Sequence, residues 1–339
     1  MAVSWYAVVL AAGKGTRMKS DRAKVLHEVF FAPMVHHVLE ALQPLALAGT
    51  YVVTGHQREA VEAALVSYAP SFVYQETQGG TGHAVLMTAS ELADRQGTVL
   101  ILCGDTPLIR PETLQGMVAA HEAGGSPLTV MTTVLADPTH YGRIVTDKMG
   151  RVVAIVEEKD ATPEQRQIME INAGIYCVDI AFLFAALKEV GTGNAQGEMY
   201  LTDIVAIANR EGHQVNRYVC ADCFEVLGVN SRVELAQAHA SLQMRRNAEL
   251  MLAGVTLIHP ETIAIERSAT IGRDTVIQPN VTISGPTEIG QGCRIDASVT
   301  IRGCRIGDGG VVGPLSVLDG VTVKPGERIA PHSLLLAGV

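Results

Sequence analysis

The chain has 339 residues, 47% of them hydrophobic and 18% charged, with a formal net charge of −9. That length is ample for two domains, and the composition excludes a disordered chain. The acidic balance argues against a general nucleic-acid binder, so an anionic ligand has to be met by a local basic cluster or a metal.

No apolar run reaches bilayer length, and the N-terminus lacks a charged segment leading into a signal-type core; a soluble cytoplasmic protein, off the membrane, is expected. The six cysteines (Cys103, Cys177, Cys220, Cys223, Cys293 and Cys304) are expected to be free thiols. Cys220 and Cys223 have C-x-x-C spacing, but no second pair or histidine follows at zinc-site spacing, and two thiols cannot fill a tetrahedral site.

Trp5 to Leu10 is an apolar run of the kind that forms a buried parallel strand. It breaks into Ala11-Ala12-Gly13-Lys14-Gly15-Thr16-Arg17-Met18, with Lys24 just beyond. Glycines at 13 and 15 let backbone N–H groups approach an anion, Arg17 adds a planar cation suited to phosphate, and Lys24 adds a point charge. The spacing is not that of a Walker A loop, and Met18 stands where a dinucleotide fingerprint needs its third glycine.

Pro33 then opens a helix whose apolar positions are Met34, Val35, Val38, Leu39 and Leu42. Thr50 to Val53 reads as a strand, Arg58 to Val66 as a helix, and Phe72 to Tyr74 as a short strand running into Gln75-Glu76-Thr77-Gln78-Gly79-Gly80-Thr81. Val99 to Leu102 is the next strand and ends in Cys103-Gly104-Asp105. The alternation predicts a parallel, doubly wound sheet with Gly13 to Arg17, Gln75 to Thr81 and Gly104-Asp105 on one edge. The Gln75 amide suits a pyrimidine edge, and Gly80-Thr81 offers N–H groups at a helix start. Asp105 is a hard oxygen suited to Mg²⁺ or, equally, a turn cap before Pro107. His83, just inside a helix, reads as a partly exposed polar residue without a catalytic task.

From Thr129 to Val178 the chain becomes a series of short β-runs: Thr129 to Val134, Gly142 to Val145, Val152 to Val156 and Ala173 to Val178. Pro163 to Met169 is expected to be helical. Their close spacing predicts an antiparallel layer or flap beside the parallel core. Gly142, Glu157 and Asn172 punctuate it with groups that suit sugar hydroxyls, although Glu157 to Asp160 reads equally as a solvated turn. A loop into a helix, a strand at Val215 to Val219, and Asn230 as the cap of a long helix from Ser231 to about Leu252 follow.

The last third is a repeat. Ile265, Ile271, Ile277, Ile283, Ile289, Ile295 and Ile301 recur every six residues; the register then slips by one to Ile306 and Val312, and again to Val317, Val323 and Ile329. One inward aliphatic per hexapeptide and three short strands per turn describe a parallel β-helix, here of about three to four coils.

The order of these motifs closely resembles one family, the bacterial bifunctional N-acetylglucosamine-1-phosphate uridyltransferase and glucosamine-1-phosphate acetyltransferase. Leu10 to Met18, Lys24 to His27, Gly80 to Ala84, Gly104 to Leu108, Tyr141 to Ile144, Glu170 to Asn172, Asn194 to Glu198 and Gly228 to Asn230 carry the resemblance. It implies an α/β fold: a Rossmann-like nucleotidyltransferase domain over 1–230, a connecting helix over 231–254, and a short left-handed parallel β-helix of hexapeptide repeats over 255–339. By the same resemblance Leu10, Ala11, Ala12, Gly13, Gln75, Gly80 and Thr81 would hold the nucleotide, and Arg17 and Lys24 would act on the phosphates. Asp105 and Asn230 would coordinate Mg²⁺, while Gly142, Glu157, Asn172 and Thr202 would contact the amino sugar. UTP and N-acetylglucosamine 1-phosphate would be the substrates, UDP-N-acetylglucosamine the product, and a homotrimer through the β-helix the assembly.

Two departures stand out. Ala23 replaces a proline before Lys24, so a looser loop is expected, and Cys103 replaces a tyrosine before Gly104-Asp105, so an altered nucleotide or sugar contact is expected. The family's later coils and their basic, histidine and asparagine positions have no match here, so no acetyltransferase activity is expected of this chain. The alternatives are a pyrophosphorylase for glucose 1-phosphate or dTTP, a non-catalytic regulatory relative, and an acyltransferase seated on the β-helix.

Overall fold

The computed structural model describes residues 3–337. They form two compact bodies: the chain up to His27 together with Pro33–Arg232, and Glu28–Ala32 together with the chain from Val233 onward.

The first body is built on a nine-stranded sheet. Strands β1 (Trp5–Ala11), β2 (Gly49–Thr54), β3 (Ser71–Tyr74) and β4 (Thr98–Cys103) are parallel and lie in the order β3-β2-β1-β4. Tyr6 and Val8 enter one apolar cluster and Ala7 and Val9 the other, so β1 is buried on both faces. This is why its sequence is continuously apolar and not alternating. Helices α1 (Met34–Leu42), α2 (Arg58–Leu65) and α3 (Thr81–Leu86) separate these strands.

The second half of the sheet departs from the expected plan. After α4 (Pro111–Gly124) come β5 (Leu128–Val134), β6 (Arg143–Thr146), β7 (Val152–Val156), β8 (Glu170–Asp179) and β9 (Asn216–Val219). The full order is β9-β5-β8-β4-β1-β2-β3. β8 is inserted between β4 and β5 and runs antiparallel to both, so the sheet is mixed. Only β6 and β7 form a hairpin off the main path, with β6 touching β8 at Arg143 opposite Ile171. Short apolar runs define strands but not their neighbours, which is why a flap was expected where two of the four runs join the main sheet. The segment before β8 holds only a 3₁₀ turn, Gln165–Gln167; Glu164 to Gln167 is polar throughout, which leaves little apolar face to stabilise a longer helix. Helices α5 (Ile180–Leu187) and α6 (Ile204–Arg210) complete this body.

The second body includes α7 (Arg232–Leu252) and three parallel sheets of five, five and four short strands, a β-helix. Inward residues stack in ladders: Leu257, Ile277, Ile295, Val312 and Ile329 in one sheet, and Ile265, Ile283, Ile301, Leu318 and Leu335 in another. Ile271, Ile289, Ile306 and Val323 form the third. This corrects two expectations. Fourteen strands at three per turn give more than four coils. The second register slip falls between Leu318 and Val323, so Leu318 is fully buried while Val317 is 40% exposed. Val317-Leu318 offers two adjacent aliphatics, and the pleat can bury only one of them. Asn247, on α7, donates to the carbonyls of Pro260 and Ile263 at 2.7 and 2.9 Å, tying the helix to the first coil.

Among the described residues, no helix is long and apolar enough to cross a membrane.

Candidate active site

The carboxyl ends of β1 and β4 lie side by side, with the Gly104 N–H donating to the Leu10 carbonyl at 2.9 Å. The loop after β1 turns through Gly15 at φ +63° into the 3₁₀ turn Thr16–Met18. A Cβ on Gly15 would stand 2.5 Å from Lys24 Cβ, so the lysine stem runs directly over the glycine. Nothing lies within 4 Å of a Cβ built on Gly13, which leaves that backbone open to a ligand. Arg17 is exposed and has no ion-pair partner among the described residues.

Lys24 opens the 3₁₀ turn Lys24–Leu26 and points its ammonium at two oxygens. One is Asp105 Oδ2 and the other is Asn230 Oδ1, at 2.5 Å. The backbone fixes the second partner, because the Val229 N–H donates to the Asp105 carbonyl at 2.8 Å and Asn230 Nδ2 donates to the Gly228 carbonyl at 2.9 Å. Lys24 thus meets Asn230 across 206 positions of sequence. Ala23, where a looser loop is expected, has a side-chain partner for its N–H. The N–H that a proline would lack donates to Gln57 Oε1 at 2.7 Å, and Ala23 keeps a proline-like φ of −51°.

The end of β3 carries the second group. Gln75 is buried, and its Nε2 donates to the Gly80 carbonyl at 3.2 Å and to His83 Nδ1 at 2.9 Å. Both amide hydrogens are thereby used, and the side-chain carbonyl remains as an acceptor. Gln78, which the sequence reading gave no role of its own, donates to the Ala12 carbonyl at 3.0 Å. The glycines here admit protein as well as ligand: a Cβ on Gly80 would stand 2.6 Å from the Met199 carbonyl, and the Thr81 hydroxyl accepts from the Leu201 N–H at 3.0 Å.

The third group lies where β7, β8 and the turn before α6 converge. Thr202 donates to Glu157 Oε1 at 3.3 Å, and the Asn172 N–H donates to the Gly142 carbonyl at 2.9 Å. A Cβ on Gly142 would approach Glu157 Oε1 to 3.4 Å. Burial pushes the Glu157 carboxyl above its ordinary value, Thr202 pulls it back, and Asp160 and Asp203 add to the rise. The acidic run therefore divides. Glu157 faces inward and Glu158 pairs with buried Arg143 at 2.7 Å, while Lys159 and Asp160 are exposed. β8 bulges between Asn172 and Tyr176, with Gly174 at φ +72°. Cys103 lies against that bulge, its thiol 3.9 Å from the Gly174 carbonyl. Burial first, then Asp105, push this thiol up to about 12, so it stays protonated. Tyr176, for which the sequence gave no signal beyond a strand position, is buried beside the same groups.

Comparison with known proteins places the chain. Residues 7–168 match the MobA-like NTP transferase domain, and residues 268–303 match the bacterial transferase hexapeptide repeat. The bifunctional protein GlmU of Desulfotalea psychrophila is 49% identical over 322 residues, covering 95% of both chains. That of Geobacter metallireducens is 50% identical over 301 residues, covering 88% of this chain and 63% of its own length. The Halalkalibacterium halodurans protein is 46% identical over 338 residues, covering 97% and 73%. The chain belongs to the GlmU family. As in that family, a nucleotidyltransferase domain precedes hexapeptide repeats, and the first body is a uridylyltransferase acting on a nucleotide and a sugar phosphate. GlmU-type nucleotidyl transfer uses a divalent metal. The residues present fit one: Asp105 and Asn230 are hard oxygen donors that already gather around a cation, the Lys24 ammonium. Among the described residues no cluster of three or more His, Cys, Asp or Glu side chains offers another metal site.

Proposed function

We propose that this chain forms UDP-N-acetylglucosamine and pyrophosphate from UTP and N-acetylglucosamine 1-phosphate, at the carboxyl edge of β1, β3 and β4. The convergence of Lys24, Asp105 and Asn230 beside the open Gly13 backbone carries this reading. A phosphate oxygen of the sugar phosphate attacks the α-phosphorus of UTP, and the bond to the bridging oxygen of the β-phosphate breaks to release pyrophosphate. The nucleophile is already an anion, so no general base is needed, and the work is positioning and charge neutralisation.

Each group has a task in that account. The backbone from Leu10 to Gly13 and at Gly80-Thr81 cradles the nucleotide. The Gln75 carbonyl accepts from the N3–H of uracil, which cytosine lacks. Arg17 and Lys24 neutralise the phosphates. Asp105 and Asn230 hold Mg²⁺, which when bound supplies Lewis-acid charge on the phosphoryl oxygens. Glu157, Asn172, Thr202 and Gly142 receive the amino sugar. Three chains would associate through the β-helix.

Pyrophosphate release tests the assignment. The pair UTP and N-acetylglucosamine 1-phosphate is expected to outpace CTP, dTTP or glucose 1-phosphate in either role. Faster turnover with glucose 1-phosphate or dTTP would keep the chemistry and replace the substrate; no release with any pair would favour the non-catalytic reading.

A further inference from the structure

The amide of Asn172 is oriented by its own strand. Its Oδ1 accepts from the Gly174 N–H at 3.0 Å, and its Nδ2 donates to Tyr176 Oη at 2.7 Å. Turning the amide over would set Nδ2 against the Gly174 N–H, two donors facing each other, so only one orientation is satisfied. The bulge in β8 makes this possible: Gly174 at φ +72° bends the strand so that residues 172, 174 and 176 close on one another. Tyr176 itself sits in the middle of the sheet. It is 2% exposed and paired with Ile101 on β4 and with Val130 on β5. Its phenol stays protonated and neutral, because burial and the nearby Glu157 both oppose its ionisation.

One amide hydrogen and one lone pair of the amide oxygen are thus spent inside the protein. The remaining N–H of Asn172 is left as a donor to a ligand acceptor, a sugar hydroxyl oxygen or an acetamido carbonyl. We infer that Tyr176 is a positioning residue for the sugar phosphate: it holds the Asn172 amide so that one donor faces the substrate. This rests on the proposed assignment of Asn172 to the sugar side of the site. Without the phenol oxygen, Asn172 keeps its tie to Gly174 but loses the restraint on Nδ2, and the loss falls on sugar binding alone.

A double-mutant cycle on Tyr176→Phe and Asn172→Ala tests this, with initial rates in UTP, N-acetylglucosamine 1-phosphate and Mg²⁺. Tyr176→Phe preserves the ring and its packing, and its thermal midpoint is read alongside. It is expected to raise KM for the sugar phosphate about tenfold while leaving KM for UTP and kcat within about twofold. In the Asn172→Ala background it is expected to add nothing, since the amide it positions is gone. Equal effects of Tyr176→Phe on kcat and on UTP, or full additivity with Asn172→Ala, would overturn the inference. If Asn172→Ala leaves the sugar KM unchanged, the assignment of that pocket fails instead. If Asn172→Ala raises it and Tyr176→Phe does not, the positioning claim alone fails.

Discussion

The two bodies of this chain store their information differently. In the β-helix, each inward aliphatic touches copies of itself one coil away, as Ile265, Ile283 and Ile301 do, and any stretch describes the next. In the nucleotidyltransferase body, the groups that matter lie at the ends of separate strands, and Lys24 meets Asn230 across 206 positions. A repeat spreads stability evenly and tolerates little slippage. A strand-edge site concentrates its chemistry in a few side chains whose loss leaves the core intact. Substitutions in the two bodies should therefore produce different signatures, one in activity and one in stability.

The largest effect is expected from Asp105→Ala. It removes the proposed metal ligand and the partner of Lys24, and should lower kcat by about a thousandfold with an unchanged unfolding profile. Loss of activity only in parallel with loss of structure would contradict the division. In the β-helix, Leu318→Ala should cost about 2–5 kcal/mol in urea unfolding, with kcat of the folded protein preserved. Gly15→Ala places a Cβ at φ +63°, against Lys24; misplacing that ammonium should lower kcat about 10- to 100-fold at a small cost in stability.

Glu157 gives a pH signature. Burial raises its pKa, so the folded protein holds this proton to a higher pH than the unfolded chain does. Its contribution to folding is therefore present at acid pH and is lost as pH climbs from the ordinary value through the raised one. In the proposed sugar site the ionised form would accept from sugar hydroxyls, so KM for the sugar phosphate should fall as pH rises through that raised value. Glu157→Gln should give a flat KM over the same range; a KM for the wild type that does not change with pH would remove the carboxylate from the sugar site. The smallest effect is expected at Val317. Val317→Ser should shift unfolding by no more than about 0.5 kcal/mol, and its contrast with Leu318→Ala measures the register directly.

Much of this was legible beforehand, and the exceptions have physical causes. The strand ends at Leu10, Tyr74 and Cys103 announced themselves because an apolar run that stops in glycine and charge has few other uses. The period of six showed the β-helix because it repeats without interruption from Ile265 to Ile301. The place of β8 was hidden, since its composition suits any central position and only tertiary packing sets it between β4 and β5. The choice of Leu318 over Val317 was hidden because both are aliphatic. Tyr176 was hidden because its role comes from a bulge at Gly174, and a glycine in a strand marks a bulge without saying what it brings together. The Gln57 contact to Ala23 was hidden because a missing proline shows only that an N–H exists, not what accepts it.

The most direct test of the central claim is phosphorus NMR of the wild-type protein with UTP and N-acetylglucosamine 1-phosphate, run with Mg²⁺, then with excess chelator, then with Mg²⁺ restored. The account predicts UDP-N-acetylglucosamine and pyrophosphate in equal amounts with metal, none under chelation, and recovery on refilling. Absence of both products with metal present, or turnover indifferent to chelation, would contradict it.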